Sequence, residues 1–178
     1  MEKGSDESYI RRDFSSALIN SKSTFNTTCG LSLQALLYKH MEVNLTRVDE
    51  DFHFVATGAS GVEINIDGSP EIGGHNAGAR PMEMLLMGLG GCSAIDVIQI
   101  LKKKRQQIDS FKINVKAERE QGELPSVFKQ IHIHFILGGP LEELKVQQAI
   151  QLSMDKYCSV AAILYKTATI SYTFELVK

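Results

Sequence analysis

The sequence predicts an α+β fold: a mostly antiparallel sheet backed by helices, with one long central helix that carries a cysteine. Three observations predict it. Apolar and polar residues alternate with period two in short runs from residue 42 to 67, and in longer runs from 111 to 137 and 168 to 177. Between them, residues 81–106 run without a breaker and are apolar on nearly every face of a helix. Gly, Pro, Asp and Ser clusters fall at the joints between these runs. The resulting order is βββ-α-ββ-α(α)-β.

The elements follow in order. Residues 1–40 are Ser, Thr and Asn-rich and lack a sustained period, so they are expected to be a loosely held extension, helix-compatible near 31–40. Met41 opens the patterned domain, 41–178. EVNLTRV, DFHFVATG and VEINID read as three strands of a meander, with DED, ASG and DGSP as turns. The glycine-rich loop PEIGGHNAGAR leads to Arg80-Pro81, and proline in the first helical position starts a helix well. The helix over 81–106 ends in Lys102, Lys103, Lys104 and Arg105, cations that suit the negative end of a helix dipole. FKINVKAERE and VFKQIHIHFIL are two further strands. LEELKVQQAIQLSMDK is an amphipathic helix with Leu144, Ala149, Ile150 and Leu152 expected inward. After Tyr157-Cys158-Ser159, VAAILYK is expected to add a helical turn, and ATISYTFELV closes the domain as a strand.

Composition narrows the class. The chain has 178 residues, 43% hydrophobic and 22% charged, with a net charge of -2. That describes an ordinary globular protein and offers no electrostatic case for nucleic acid or an anionic membrane surface. The segment 81–101 has the hydropathy of a membrane span. It nevertheless contains Glu83, Ser93, Asp96, Gln99 and three glycines, so a buried core helix is expected. No signal peptide is expected in the acidic first residues. Three scattered cysteines, Cys29, Cys92 and Cys158, fit neither a secreted disulfide framework nor a zinc knuckle, and are compatible with a reducing cytoplasm.

Chemistry is concentrated around GLGGCSAID, residues 88–96. Glycine in a helix costs about 0.5–1 kcal/mol against alanine, so Gly88, Gly90 and Gly91 must return something. Gly88 and Asp96 lie one turn either side of Cys92 on its own face. The glycines leave room beside the thiol and permit close backbone approach. Tight packing around an inert buried thiol is one explanation; a reactive thiol is the other. Asp96 raises rather than lowers the pKa of a neighbouring thiol, and its alternatives are to hold a cation or to point elsewhere. Cys158 follows a helix, and the two cysteines would suit a pair in which one thiol is oxidised and the other condenses on it.

The block GARPMEMLLMGLGGCSAIDVIQIL, residues 78–101, resembles the first-cysteine helix of the OsmC/Ohr family, and LSMDKYCSV, residues 152–160, its second-cysteine segment. The resemblance covers about 41–178 and leaves the extension outside. It implies an intertwined homodimer whose long helices pack together, with active sites at the subunit interface. It also implies thiol-dependent reduction of organic hydroperoxides, with Cys92 peroxidatic, Cys158 resolving, a dithiol as reductant, and no metal or organic cofactor. Family peroxidases use an Arg–Glu pair to activate the first cysteine. Arg80 and Glu83 are the candidates beside the motif, although Glu83 falls on the opposite helix face, about 13 Å from Cys92 along the axis, so that a partner chain would have to present it. The PMEMLL and GGCSAID pattern resembles a less characterised branch. The alternative function is a non-catalytic dimer binding a small apolar or thiol-bearing ligand at the interface. His132 and His134, spaced i, i+2, read as a solvent-facing strand rather than a metal site, and His75 as a loop residue.

Overall fold

The computed structural model describes residues 40–122 and 124–177. The extension before His40, including Cys29, lies outside the described residues. Met41–Lys178 forms one compact unit.

Strands β1 (Asn44–Arg47), β2 (Phe54–Thr57) and β3 (Glu63–Ile66) make an antiparallel meander, as the period-two runs and tight turns require. Its strands are only four residues long and expose Leu45 and Ile64. Strands β4 (Ser110–Arg119), β5 (Phe128–Gly138) and β6 (Thr169–Val177) form a second sheet in the order β4-β5-β6. β4 and β5 pair antiparallel, whereas β5 and β6 are parallel. The parallel pair exists because two helices intervene: a long crossover returns the chain to the edge of β5 in the same direction. The α+β class and the element order match the expectation, and the sheet is divided into two parts.

β5 is the spine of the core. Ile131, Ile133, Phe135 and Leu137 alternate inward and are essentially inaccessible, and Phe135 meets Phe111 of β4 edge to face, 6.4 Å between centroids. Helix α1 (Pro81–Lys103) lies on this sheet through Leu89, Val97 and Leu101. Helix α2 (Glu143–Leu152) adds Val146, Ala149 and Ile150. The expected inward face of α2 is corrected here. Leu144 is 64% exposed because it lies about 160° round the helix from Val146, on the far side from the buried stripe of Val146, Ala149 and Ile150; Leu152, 36% exposed, sits at the edge of that stripe, about 60° beyond Ala149. Residues Ser153–Tyr157 continue as a π turn, and a short helix α3 (Ser159–Leu164) follows.

Among the described residues, nothing wraps helix α1 all round. It is long and apolar enough to cross a membrane, with a mean hydropathy of 1.8 over its most apolar stretch, but only 28% of that stretch is buried. Leu85, Met87 and Ile95 remain exposed along one side, with Gly88 and Gly91 between them. The glycines therefore divide by task. A Cβ on Gly90 would touch Val115 and Ile113 of β4 at 3.4 and 3.7 Å, whereas Gly88 and Gly91 face open space.

Candidate active site

The start of α1 is held by a loop built on one carboxylate. Asp67, 1% exposed, accepts the backbone N–H groups of Gly68, His75 and Ala77 at 2.7–2.9 Å. These bonds, that of Ala77 foremost, hold its carboxyl below the usual range. A Cβ on Gly74 would lie 2.1 Å from the Gly68 carbonyl oxygen, so only glycine permits this fold of the loop. His75 sits between Asp49 and Asp51, at 3.4 and 3.5 Å. The sequence pattern DGSP showed a turn here, but not that its aspartate would be the hub.

Arg80 and Glu83 serve this helix start. The Arg80 N–H donates to the Glu83 carboxylate at 2.9 Å, an acid placed at the positive end of the helix dipole. The Arg80 guanidinium donates to the Gly78 carbonyl and to the Asn76 side chain. In the continuous helix Glu83 stays about 13 Å from Cys92 along the axis. Its side chain instead lines a groove of about 780 Å³ with Leu86, Gly90, Gly91 and the β4 residues Ile113 and Val115.

Cys92 is half-buried on α1, and Asp96 follows one turn later on the same face. Against that face lies the π turn after α2. Its wide i→i−5 bond, from the Cys158 N–H to the Ser153 carbonyl at 2.8 Å, ends the helix and turns the chain to an extended conformation at Cys158. The Cys158 side chain then caps α3, its sulfur accepting the Ala161 N–H at 3.4 Å. As a result the two sulfurs and a carboxylate oxygen of Asp96 all lie within 4.8 Å of one another. Both thiols are free.

The two thiols differ in environment. Cys158 is 3% exposed, and burial pushes its pKa up to about 11, the neighbouring Cys92 adding to the rise and the Ala161 N–H opposing it. Cys92 retains access to solvent. Ser153, buried at an apolar-period position, donates its hydroxyl to Asp96 Oδ2 at 3.2 Å and so ties the π turn to α1. A serine at this buried position of the apolar stripe is the one sign in the sequence of a polar junction. Beside Asp96 opens a cavity of about 280 Å³ lined by Lys103, Lys104, Leu152 and Tyr157.

His132 and His134 are partnered by β6. His132 hydrogen-bonds Ser171 and Thr173 at 2.9 and 3.0 Å, and His134 bonds Thr173 at 2.8 Å. Side-chain ladders across parallel strands explain the i, i+2 spacing.

The OsmC-like protein family matches residues 74–173, the stretch that contains both cysteines. Protein YhfA of Escherichia coli K12 is 43% identical over 129 residues, covering 72% of this chain and 92% of its own. A crystal structure of a hypothetical protein from Aquifex aeolicus VF5 is 34% identical and superimposes with a TM-score of 0.66, over 79% of this chain and all of that one. An organic hydroperoxide resistance protein from Elizabethkingia anophelis shares the fold at 14% identity and a TM-score of 0.61, over 79% and 98%. With both cysteine segments inside the matched region and a relative this similar over most of its length, the chain belongs to the OsmC-like protein family.

Proposed function

We propose that the protein reduces organic hydroperoxides with the Cys92–Cys158 pair. The observation that carries this reading is the meeting of two free thiols, one accessible and one buried, from segments far apart in sequence. Cys92 is the attacking group because its sulfur can be reached, while the Cys158 thiol, with its pKa near 11, stays protonated at neutral pH. The Cys92 thiolate attacks the terminal peroxide oxygen and the O–O bond breaks. The departing alkoxide takes up a proton to leave as alcohol, and the sulfur becomes a sulfenic acid. Cys158 then attacks that sulfur: an S–S bond forms, the S–O bond breaks, and hydroxide leaves with the thiol proton as water. A dithiol reductant of the cytoplasm reopens the disulfide by exchange.

The active unit is a homodimer in this reading. Leu85, Gly88, Gly91 and Ile95 form a smooth apolar strip beside Cys92, and a partner helix laid along it would bury that strip and enclose the thiol. The partner is also the route by which a Glu83 or Arg80 reaches Cys92. The groove of about 780 Å³ beneath α1 favours a second reading, binding of a small apolar or thiol-bearing ligand at the interface without turnover.

Intact mass after stoichiometric cumene hydroperoxide, without reductant, tests the proposal. The expected product is a rapid Cys92–Cys158 disulfide in the native protein and a trapped sulfenic acid at Cys92 in Cys158→Ser. Thiols that oxidise no faster than free cysteine would remove the peroxidase and leave the binding reading.

A further inference from the structure

We propose that Cys92, Asp96 and Cys158 together form a binding site for a thiophilic divalent cation, zinc above all. Their three donor atoms already lie within 4.8 Å of one another. Tetrahedral zinc, with Zn–S near 2.3 Å and Zn–O near 2.1 Å, places its donors about 3.6–3.8 Å apart. A contraction of about an ångström closes the site, within reach of rotations about the short Cys and Asp side chains. Cys92 and Asp96 are one turn apart on a rigid helix, so two of the three donors have a fixed spacing. The third comes from the end of the π turn.

The donor set selects the metal. Two thiolates with one carboxylate favour zinc over magnesium or calcium, which take oxygen donors. Supporting bonds of the kind that orient metal ligands are present. The Ser153 hydroxyl holds Asp96 Oδ2 at 3.2 Å, and the Ala161 N–H points at Cys158 Sγ at 3.4 Å, where it stabilises a thiolate. Three protein donors leave a fourth position for water or an incoming thiol, and the cavity beside Asp96 offers an approach.

The site gives the carboxylate a purpose. A dication held among two thiolates and a carboxylate makes all three charges favourable. The same two sulfurs cannot hold zinc and form a disulfide. Zinc-bound protein is therefore closed to peroxide, and oxidation of the pair ejects the metal.

Titration of the reduced, untagged, metal-stripped protein with zinc chloride against a chromophoric chelator tests this, with Co²⁺ as a spectroscopic probe. The expected result is one zinc per chain with a Kd below about 1 µM. It should weaken at least about 100-fold in Cys92→Ser or Cys158→Ser, and about 10- to 100-fold in Ser153→Ala. Native protein with Co²⁺ should show intense sulfur-to-metal charge transfer, which is lost after disulfide formation; this readout needs no variant to fold. Zinc bound with undiminished strength by Cys158→Ser, or cobalt bound without charge transfer, would overturn the site; so would no binding below about 10 µM. No peroxide enters the zinc titration, so its failure and that of the peroxidase reading are separate results.

Discussion

Gly88→Ala tests why α1 carries glycine at all. Among the described residues of a single protomer a methyl at this position meets nothing within 4 Å, so replacing glycine by alanine in mid-helix should stabilise the chain by about 0.5–1 kcal/mol. In a dimer whose helices cross on this strip, the same methyl enters a packed seam, where an extra group costs about 1–3 kcal/mol. The second term is larger and opposite in sign, and two-fold symmetry places the methyl in the seam twice. The propensity gain is common to monomer and dimer and cancels from association, so a seam cost of about 1–3 kcal/mol weakens dimerisation by about 5- to 150-fold. Sedimentation velocity over a range of concentrations reads the dimer constant directly, with thermal unfolding at fixed concentration alongside. The expected outcome is weaker association with a lowered midpoint. A dimer of native affinity with a raised midpoint would refute the reasoning, and would show that the exposed strip of Leu85, Gly88 and Ile95 is not the seam.

Three further outcomes follow from the two thiols and from Asp67. Iodoacetamide at pH 7 should modify Cys92 and spare Cys158, read by peptide mass. Because the folded Cys158 pKa is raised from about 9 to about 11, its protonated form favours folding. That contribution is fully present below pH 9 and is lost as pH rises through 11, so Cys158→Ser should show a flatter loss of stability between those values. Asp67 has the opposite sign: its folded pKa is lowered, so its contribution is present above the unfolded value near 3.9 and is lost as pH falls through the folded one. Asp67→Asn should speed amide exchange in the segment 68–78 at pH 7 and make that exchange less sensitive to acid. Unchanged exchange would show that the loop does not hang on this carboxylate.

Much of the fold was legible because period and punctuation are local properties. Alternation in QIHIHF predicted which side of β5 is buried, and Pro81 marked the start of α1. The same patterns mispredicted Leu144, which lies on the far face of α2, and Leu152, which sits at the edge of the buried stripe. Asp67 and Ser153 were invisible as functional groups. A buried acceptor or donor is defined by what surrounds it, and their partners come from loops and helices that no spacing rule links.

By itself the sequence determined the elements, their order, the cysteine-bearing helix and the two segments that identify the family. It also showed that α1 is apolar on nearly every face, a pattern that one sheet cannot bury by itself. Only the tertiary structure decided that β6 runs parallel to β5, since pairing direction depends on where the crossover returns the chain. Only it placed Cys158 against Cys92 and Asp96. Whether two thiols are reactive, inert or chelating is a matter of a few ångströms and of burial, and those are set by packing of the π turn on α1.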